Sequence, residues 1–299
     1  MQHWADGERS IAQIARLVSQ ELGRTVTPEV VSGYFDAHVD LGYADIVDAS
    51  DVIKKKKLVA DFEKLGVKRG MIVMVHSSLS ALGHVDGGAG TVVDALLTAV
   101  GRAGTLAMPS FNHGGTSVYN PLTSRATSGA IPDAFWRRAG VERSNHPSHA
   151  VAAHGPLARE LTSGHVEGGI WTEHDPIARL IRAGGYILSL GVTHTSSTAY
   201  HVGELSVPCG CIDPFGSLGR IVDDDGNIRT VDTLAWRGSS CPVNPAKLNE
   251  TLSKNSEQKS GKVGRADSTL VPARLVYEAR RRHLRGVCPT CTIKPKANR

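Results

Sequence analysis

Apolar positions along this chain recur with two periods, and the switches between them mark out the elements. Ile11, Ile14, Ala15, Leu17, Val18 and Leu22 fall three and four apart, as on one helix face, between a capping Ser10 and a terminating Gly23. Thr27-Pro28-Glu29 starts a second helix through Val30, Val31, Tyr34, Phe35, Val39 and Leu41, stopped at Gly42 and followed by a short segment over 43–47. Lys54-Lys55-Lys56-Lys57 reads as the exposed start of a third helix carrying Leu58, Val59, Phe62 and Leu65. The unbroken apolar run over 71–75 then predicts a buried strand, Val92, Val93, Ala95, Leu96, Leu97 and Val100 a helix, and 101–111 a turn and a second buried strand that ends at Pro109 and Ser110. Further on, helices over 134–139, 157–161 and 177–182 alternate with strands over 150–153 and 186–191.

Helix and strand in alternation predict an α/β layered domain with a largely parallel central sheet, over 51–299. A small, mainly helical module over 1–50 precedes it, and a Cys-containing subregion occupies about 205–299. A chain of 299 residues can bury a large core of this kind. No apolar segment reaches the roughly 18 to 20 residues needed to cross a bilayer, and the N-terminus has neither a basic nor an apolar leader region. The expected setting is therefore the cytoplasm, without membrane association.

Charge is unevenly placed. From Lys247 onward 13 Lys/Arg stand against 4 Asp/Glu, a net +9, which leaves −4 on the first 246 residues. An acidic body suits a polycationic substrate, because like charge repels over a Debye length of roughly 8 Å. Arg280-Arg281-Arg282 reads as a solvated helix face. The tail lacks interleaved aromatics, so nucleic acid is not an expected partner.

Candidate chemistry begins where the first strand ends. Val75-His76-Ser77-Ser78-Leu79 runs into hydroxyls, and His84-Val85-Asp86-Gly87-Gly88-Ala89-Gly90-Thr91 forms a glycine-rich turn into the next helix. Backbone N–H groups there can converge on an anion at the helix N-terminus. No P-loop or dinucleotide fingerprint is present. Further motifs follow: Gly101-Arg102-Ala103-Gly104-Thr105-Leu106-Ala107-Met108-Pro109-Ser110-Phe111, then Ser128-Gly129-Ala130-Ile131-Pro132-Asp133-Ala134-Phe135-Trp136, then Arg143-Ser144-Asn145-His146-Pro147-Ser148-His149. Leu188-Ser189-Leu190-Gly191-Val192 leads to Thr198-Ala199-Tyr200-His201-Val202-Gly203-Glu204. Together, from about residue 52 to the C-terminus, these segments resemble the aminoglycoside 3-N-acetyltransferase family and approach its apramycin-acetylating branch. Residues 1–50 loosely resemble a PqqD-like or winged-helix module.

The resemblance implies acetyl-coenzyme A as cosubstrate and an aminoglycoside amine, at the 3-amino position of 2-deoxystreptamine, as acceptor. It also implies antibiotic resistance as the outcome. It places the coenzyme against His76, Ser77, Ser78, Leu79, Val85, Gly87, Gly88, Ala89, Thr91, Ser110, Arg143 and His146. Acetylating an amine calls for a base with a near-neutral pKa, and His201 is the candidate. Such a base needs a partner that fixes its tautomer. Asp133 is expected to be that partner, unless it serves as an N-terminal carboxylate of its own helix. Glu204, three residues after His201 and on the same helix face, is implied at the amino-sugar pocket with Thr195 and Thr198. Family members commonly carry Asp and Asn where this chain has Thr195-Ser196-Ser197, so a carboxylate for the cationic acceptor is missing. His149, His154, His165 and His174 read as packing or surface residues.

Five cysteines in a cytosolic chain argue against a disulfide framework. Cys288-Pro289-Thr290-Cys291 has the spacing of a zinc half-site, which Cys241 and Cys211 or Cys209 would complete. The expectation is thus an acetyl-coenzyme A dependent N-acetyltransferase working by direct attack, as monomer or homodimer, with a structural zinc. The alternatives are a same-fold acyltransferase for another amine of natural-product metabolism, and a non-catalytic binding protein.

Overall fold

Val73 and Val75 lie on one side of β1 (Ile72–Ser77) and Met74 on the other, all fully buried, so the strand carries apolar packing on both faces. The computed structural model describes residues 5, 9–43, 46–115, 117–236 and 243–295. β1 is central to a seven-stranded sheet formed with β2 (Thr105–Pro109), β3 (Glu142–Arg143), β4 (Val151–His154), β5 (Tyr186–Leu190), β8 (Lys259–Val263) and β9 (Ala266–Pro272). The strand order is β3-β4-β2-β1-β5-β9-β8. β1 pairs in parallel with β2 and β5, and the outer strands pair antiparallel. The α/β class holds, with parallel pairing at the centre of the sheet. β8 and β9 come from the C-terminal subregion, which completes the main sheet as well as forming the separate ribbon β6 (Ile212–Val222) with β7 (Ile228–Trp236).

Helices cover both faces. On one, α3 (Lys55–Leu65), α4 (Gly88–Val100) and α5 (Ala130–Trp136) set Leu58, Phe62, Val92, Leu96, Ile131 and Phe135 against Val73, Val75, Leu106 and Leu188. On the other lie α6 (Ala158–Thr162), α8 (Pro176–Arg182), α9 (Ala199–Leu205), α10 (Lys247–Ser253) and α11 (Ala273–Arg285), reached past the single turn α7 (His165–Gly168). Leu161, Leu180, Val202, Leu248 and Val276 pack there on Met74, Ala107 and Ile187. Each fully buried side chain of this size contributes about 1.5–3 kcal/mol, so the two layers dominate the stability.

Local signals explain the boundaries. α1 (Ile11–Leu22) opens with a complete capping box between Ser10 and Gln13 and closes on Gly23 at φ 63°. It shares its own apolar cluster, Ile14, Ala15, Val18, Val31 and Phe35, with α2 (Pro28–Asp40). The described residues of the 43–47 segment form no strand, and residues 44 and 45 lie outside the described set. α5 starts at Ala130, earlier than its predicted first residue, because Pro132 sits in the first turn, where its missing N–H costs nothing.

Candidate active site

Polar side chains gather where the parallel strands end, the edge at which α/β sheets bind ligands. His76 and Ser77 close β1, Ser110 follows β2, Ser189 pairs across from His76 on β5, and His194, Ser197 and Thr198 come just after β5. In each of these seven residues a buried side-chain polar atom has no hydrogen-bond partner among the described residues. Unsatisfied buried groups are rare and costly, so their concentration at one sheet edge marks a place built for a polar guest. The N-terminus of α4 opens nearby in sequence. Gly87 caps it in the left-handed region at φ 71°, and no side chain binds its first N–H groups. The orphaned hydroxyls and the uncapped helix suit a coenzyme with a phosphate and a carbonyl to hold.

His201 stands on α9 with its Nδ1 2.6 Å from Glu204 Oε2. Glu204 is 2% exposed, and its Oε1 accepts from Arg280 Nε at 2.8 Å and from a second guanidinium nitrogen. Arg280, 1% exposed, also donates to the Val243 carbonyl. A carboxylate on Nδ1 keeps the proton there and leaves Nε2 as the basic nitrogen. The helices can meet this closely because residue 203 is glycine: a Cβ there would lie 2.7 Å from the Tyr277 carbonyl on α11.

Aromatic rings hold the imidazole in place. Trp171 stacks on His201 at 3.9 Å with an interplanar angle of 12°, Tyr200 lies at 3.9 Å, and Trp236 meets it edge-on at 4.7 Å. Burial pushes the His201 pKa below its ordinary value, with Glu204 opposing that shift and Arg280 adding to it. The ring is therefore neutral and ready to accept a proton at physiological pH.

Other buried imidazoles stay neutral for the same reason. Burial drives His76 down to about 3, and His146 and His149 well below the usual range. The unfolded chain takes up these protons near pH 6.5, so below that pH the unfolded state binds more protons than the fold and stability falls. Each such group removes about 1.4 kcal/mol per pH unit, from about 6.5 down to its folded pKa. Melting temperature should be level above pH 7 and drop steeply from pH 6 to 5, with His76→Gln flattening the slope in scanning calorimetry. A melting temperature constant from pH 7 to 5 would rule out neutral burial.

Several expectations change on contact with the geometry. Asp133 does not orient His201: its Oδ1 accepts from Ala126 N and Trp136 Nε1 at 2.9 Å, and Arg137 closes on both oxygens. Burial alone would raise its pKa, and these bonds overcome that and lower it. It is the first-turn carboxylate of α5, and Glu204 takes the orienting position instead. Glu204 in turn is almost fully buried, its carboxylate engaged by His201 and Arg280. Arg143 donates from its two terminal guanidinium nitrogens to the Pro121, Ser124 and Ser110 carbonyls and lies over Trp136 and Tyr119, bracing the loop that follows β2, while its buried Nε has no partner among the described residues. Val85 is buried in the core, and Leu79 and Ala89 pack against it while remaining partly exposed. Gly88 and Thr91 lie in the first turn of α4, and the Ser78 hydroxyl meets that of Ser80. His146 is buried, its Nδ1 accepting from Ser148 and His149 N–H and its Nε2 without a partner. Thr195 is exposed and pairs its hydroxyl with Thr193 at 2.7 Å, whereas Thr198 is buried.

The cysteines also depart from expectation. Cys288 forms a disulfide with Cys209, which removes it from any thiolate set. No group of three or more His, Cys, Asp or Glu able to hold a metal occurs among the described residues, and Cys241 lies outside them. The remaining donors, Cys211 and Cys291, do not make a tetrahedral zinc site. No helix among the described residues is long and apolar enough to cross a membrane.

Sequence reasoning missed three residues at this site. Arg280 hid in a run of three arginines read as solvated, although its α11 neighbours Val276, Ala279 and Leu284 are buried. Trp171 carried no motif. Asp175 carried no motif either; it is the N-cap of α8, and its Oδ2 also accepts from the Trp171 backbone N–H.

Residues 74–285 match the family model described as aminoglycoside 3-N-acetyltransferase. Over 224 residues the chain is 33% identical to aminoglycoside N(3)-acetyltransferase IV of a Salmonella species, covering 74% of this chain and 83% of that protein. A crystal structure of a histidine-to-alanine mutant of aminoglycoside acetyltransferase AAC(3)-IVa, in complex with a gentamicin, superposes with a TM-score of 0.71. Identity is 31%, over 82% of this chain and 92% of that one. A binary complex of AAC-IIIb with CoASH shares the fold at a TM-score of 0.70 and 23% identity, over 81% and 99% of the two chains.

Proposed function

The chain belongs to the aminoglycoside 3-N-acetyltransferase family, and we propose from this that it moves the acetyl group of acetyl-coenzyme A onto an aminoglycoside amine. The acceptor is the 3-amino group of the 2-deoxystreptamine ring, and the product is an acetylated antibiotic of reduced charge. The observation that carries the reading is His201 bonded through Nδ1 to Glu204, itself anchored by Arg280, beside a sheet edge crowded with unpaired hydroxyls.

The reaction forms one C–N bond and breaks one C–S bond. His201 Nε2 takes a proton from the acceptor amine, the amine attacks the thioester carbonyl, and the coenzyme leaves as the thiol once protonated. Glu204 stabilises the imidazolium formed on the way, which supports general-base catalysis worth about 10²–10⁴-fold. Hydroxyls of Ser77, Ser110 and Thr198 are the available donors for the developing oxyanion and the coenzyme amides. Direct attack fits a site whose strand ends carry no cysteine.

On the acceptor side, Thr195 and Ser197 stand in the run where the resemblance implies Asp and Asn, and the Thr195 hydroxyl is exposed, pairing with that of Thr193. Loss of one charge-assisted contact weakens a cationic acceptor by about 1.5–3 kcal/mol, about tenfold or more in affinity. The test is release of coenzyme thiol across a panel of 2-deoxystreptamine aminoglycosides and simple amines. Turnover with the aminoglycosides, at raised KM relative to relatives carrying the acid, is expected. Turnover confined to simple amines would move the chain to another acceptor class, and none at all would make it a binding protein.

A further inference from the structure

Trp171 is the only non-glycine residue with positive φ among the described residues, at 55°. A bulky side chain keeps that conformation only where its surroundings impose it. Its ring is also the one stacked flat on His201. The imposing group is Asp175, 1% exposed, whose Oδ2 accepts from the Trp171 backbone N–H at 2.7 Å and whose Oδ1 accepts from Ile177 N at 2.7 Å.

Asp175 is itself held from behind. His165, fully buried, lies with Nε2 3.1 Å from Asp175 Oδ2 and Nδ1 2.8 Å from Ser144 Oγ, which also accepts from Val151 N at 2.8 Å. Ser, His and Asp in this order look like a nucleophile triad. Ser144 is 1% exposed and its oxygen is already bonded twice, so no substrate carbonyl can reach it. The chain of bonds leads the other way, through Asp175 and Trp171 to the face of His201.

We propose that Asp175 is a positioning residue for acetyl transfer: it locks the left-handed Trp171 backbone so that the indole fixes the plane of the His201 ring, with His165 and Ser144 holding the carboxylate. This rests on the reading of His201 as the base. Glu204 fixes which nitrogen is basic, and Trp171 fixes where that nitrogen points. The titratable groups that act electrostatically on His201 are Glu204 on its own helix, Arg280 from α11, His76 from β1, His149, and Asp175, which bonds the Trp171 backbone. Asp175 adds negative charge that favours the imidazolium.

The experiment uses the full chain with Asp175→Asn, Trp171→Gly, the double variant and His201→Ala. Glycine adopts the left-handed backbone unaided, so it removes the ring without the strain. Asp175→Asn should lower kcat about 10- to 100-fold, leave KM for acetyl-coenzyme A within about twofold, and move the NMR titration midpoint of His201 to lower pH. Trp171→Gly should lower kcat comparably, and the double variant no further than Trp171→Gly alone. Wild-type kcat and His201 midpoint in Asp175→Asn, or losses that multiply in the double variant, overturn the positioning role. Should Asp175→Asn not fold, His165→Gln, which removes one bond from Oδ2, carries the same comparison with Trp171→Gly. An active His201→Ala overturns the base assignment itself; an inactive one beside an unimpaired Asp175→Asn overturns only the positioning role.

Discussion

His201→Ala is expected to lower turnover about 10²–10⁴-fold, with coenzyme affinity unchanged. In the proposed reaction the base acts on the acceptor amine, while the orphaned hydroxyls of the β1 and β2 ends and the uncapped α4 are untouched by the substitution. Isothermal titration with coenzyme A, beside steady-state kinetics with a saturating acceptor, separates the two. Unchanged turnover would remove His201 from the mechanism. A matched loss of coenzyme affinity would mean that the ring packs against the coenzyme instead of serving the amine. The alanine also empties a space between Trp171 and Trp236, so melting temperature is measured alongside.

The second large effect is on stability. Arg280→Met leaves the Glu204 carboxylate buried with its cation gone, and breaking such a pair from one side costs about 3–5 kcal/mol. In a chain of this size that lowers the melting temperature by on the order of 5–15 °C. Turnover falls too, because Glu204 loses the bonds that aim it at His201. Adding Glu204→Leu should restore most of the stability, since an apolar replacement of both partners removes the uncompensated charge. Turnover should stay low in the double variant, because nothing then fixes the His201 tautomer. A double variant no more stable than Arg280→Met would show that the loss comes from Arg280's own packing and its bond to the Val243 carbonyl and not from a stranded carboxylate.

Signals that act within a few residues were readable in the sequence. Ser10 with Gln13 and Gly23 bracket α1, the apolar run before His76 is β1, and the three-residue step from His201 to Glu204 does put both on one face of α9. Pairings over long separations were not. Arg280 meets Glu204 across 76 residues and Cys288 meets Cys209 across 79, and neither partner carries a local mark of the other. Asp133 misled for a related reason. A carboxylate in the first turn of a helix already has a sufficient local purpose, and only coordinates tell that purpose from a catalytic one. The β8 strand escaped notice because Lys259, Ser260, Gly261 and Lys262 form a polar edge strand with little apolar signal.

The tie between Glu204 and Arg280 also has a consequence for synthesis. Chains emerge from the ribosome N-terminal end first, at about 5–20 residues per second. His201 and Glu204 can coil into α9 early, but the carboxylate stays unanchored until residue 280 follows, 76 positions behind. The emerging chain therefore carries a base without its anchor for at least several seconds. A polypeptide cut anywhere before α11 should bury no Arg280, hold no fixed imidazole and give a cell no protection from the antibiotic, however well its first strands and helices have packed.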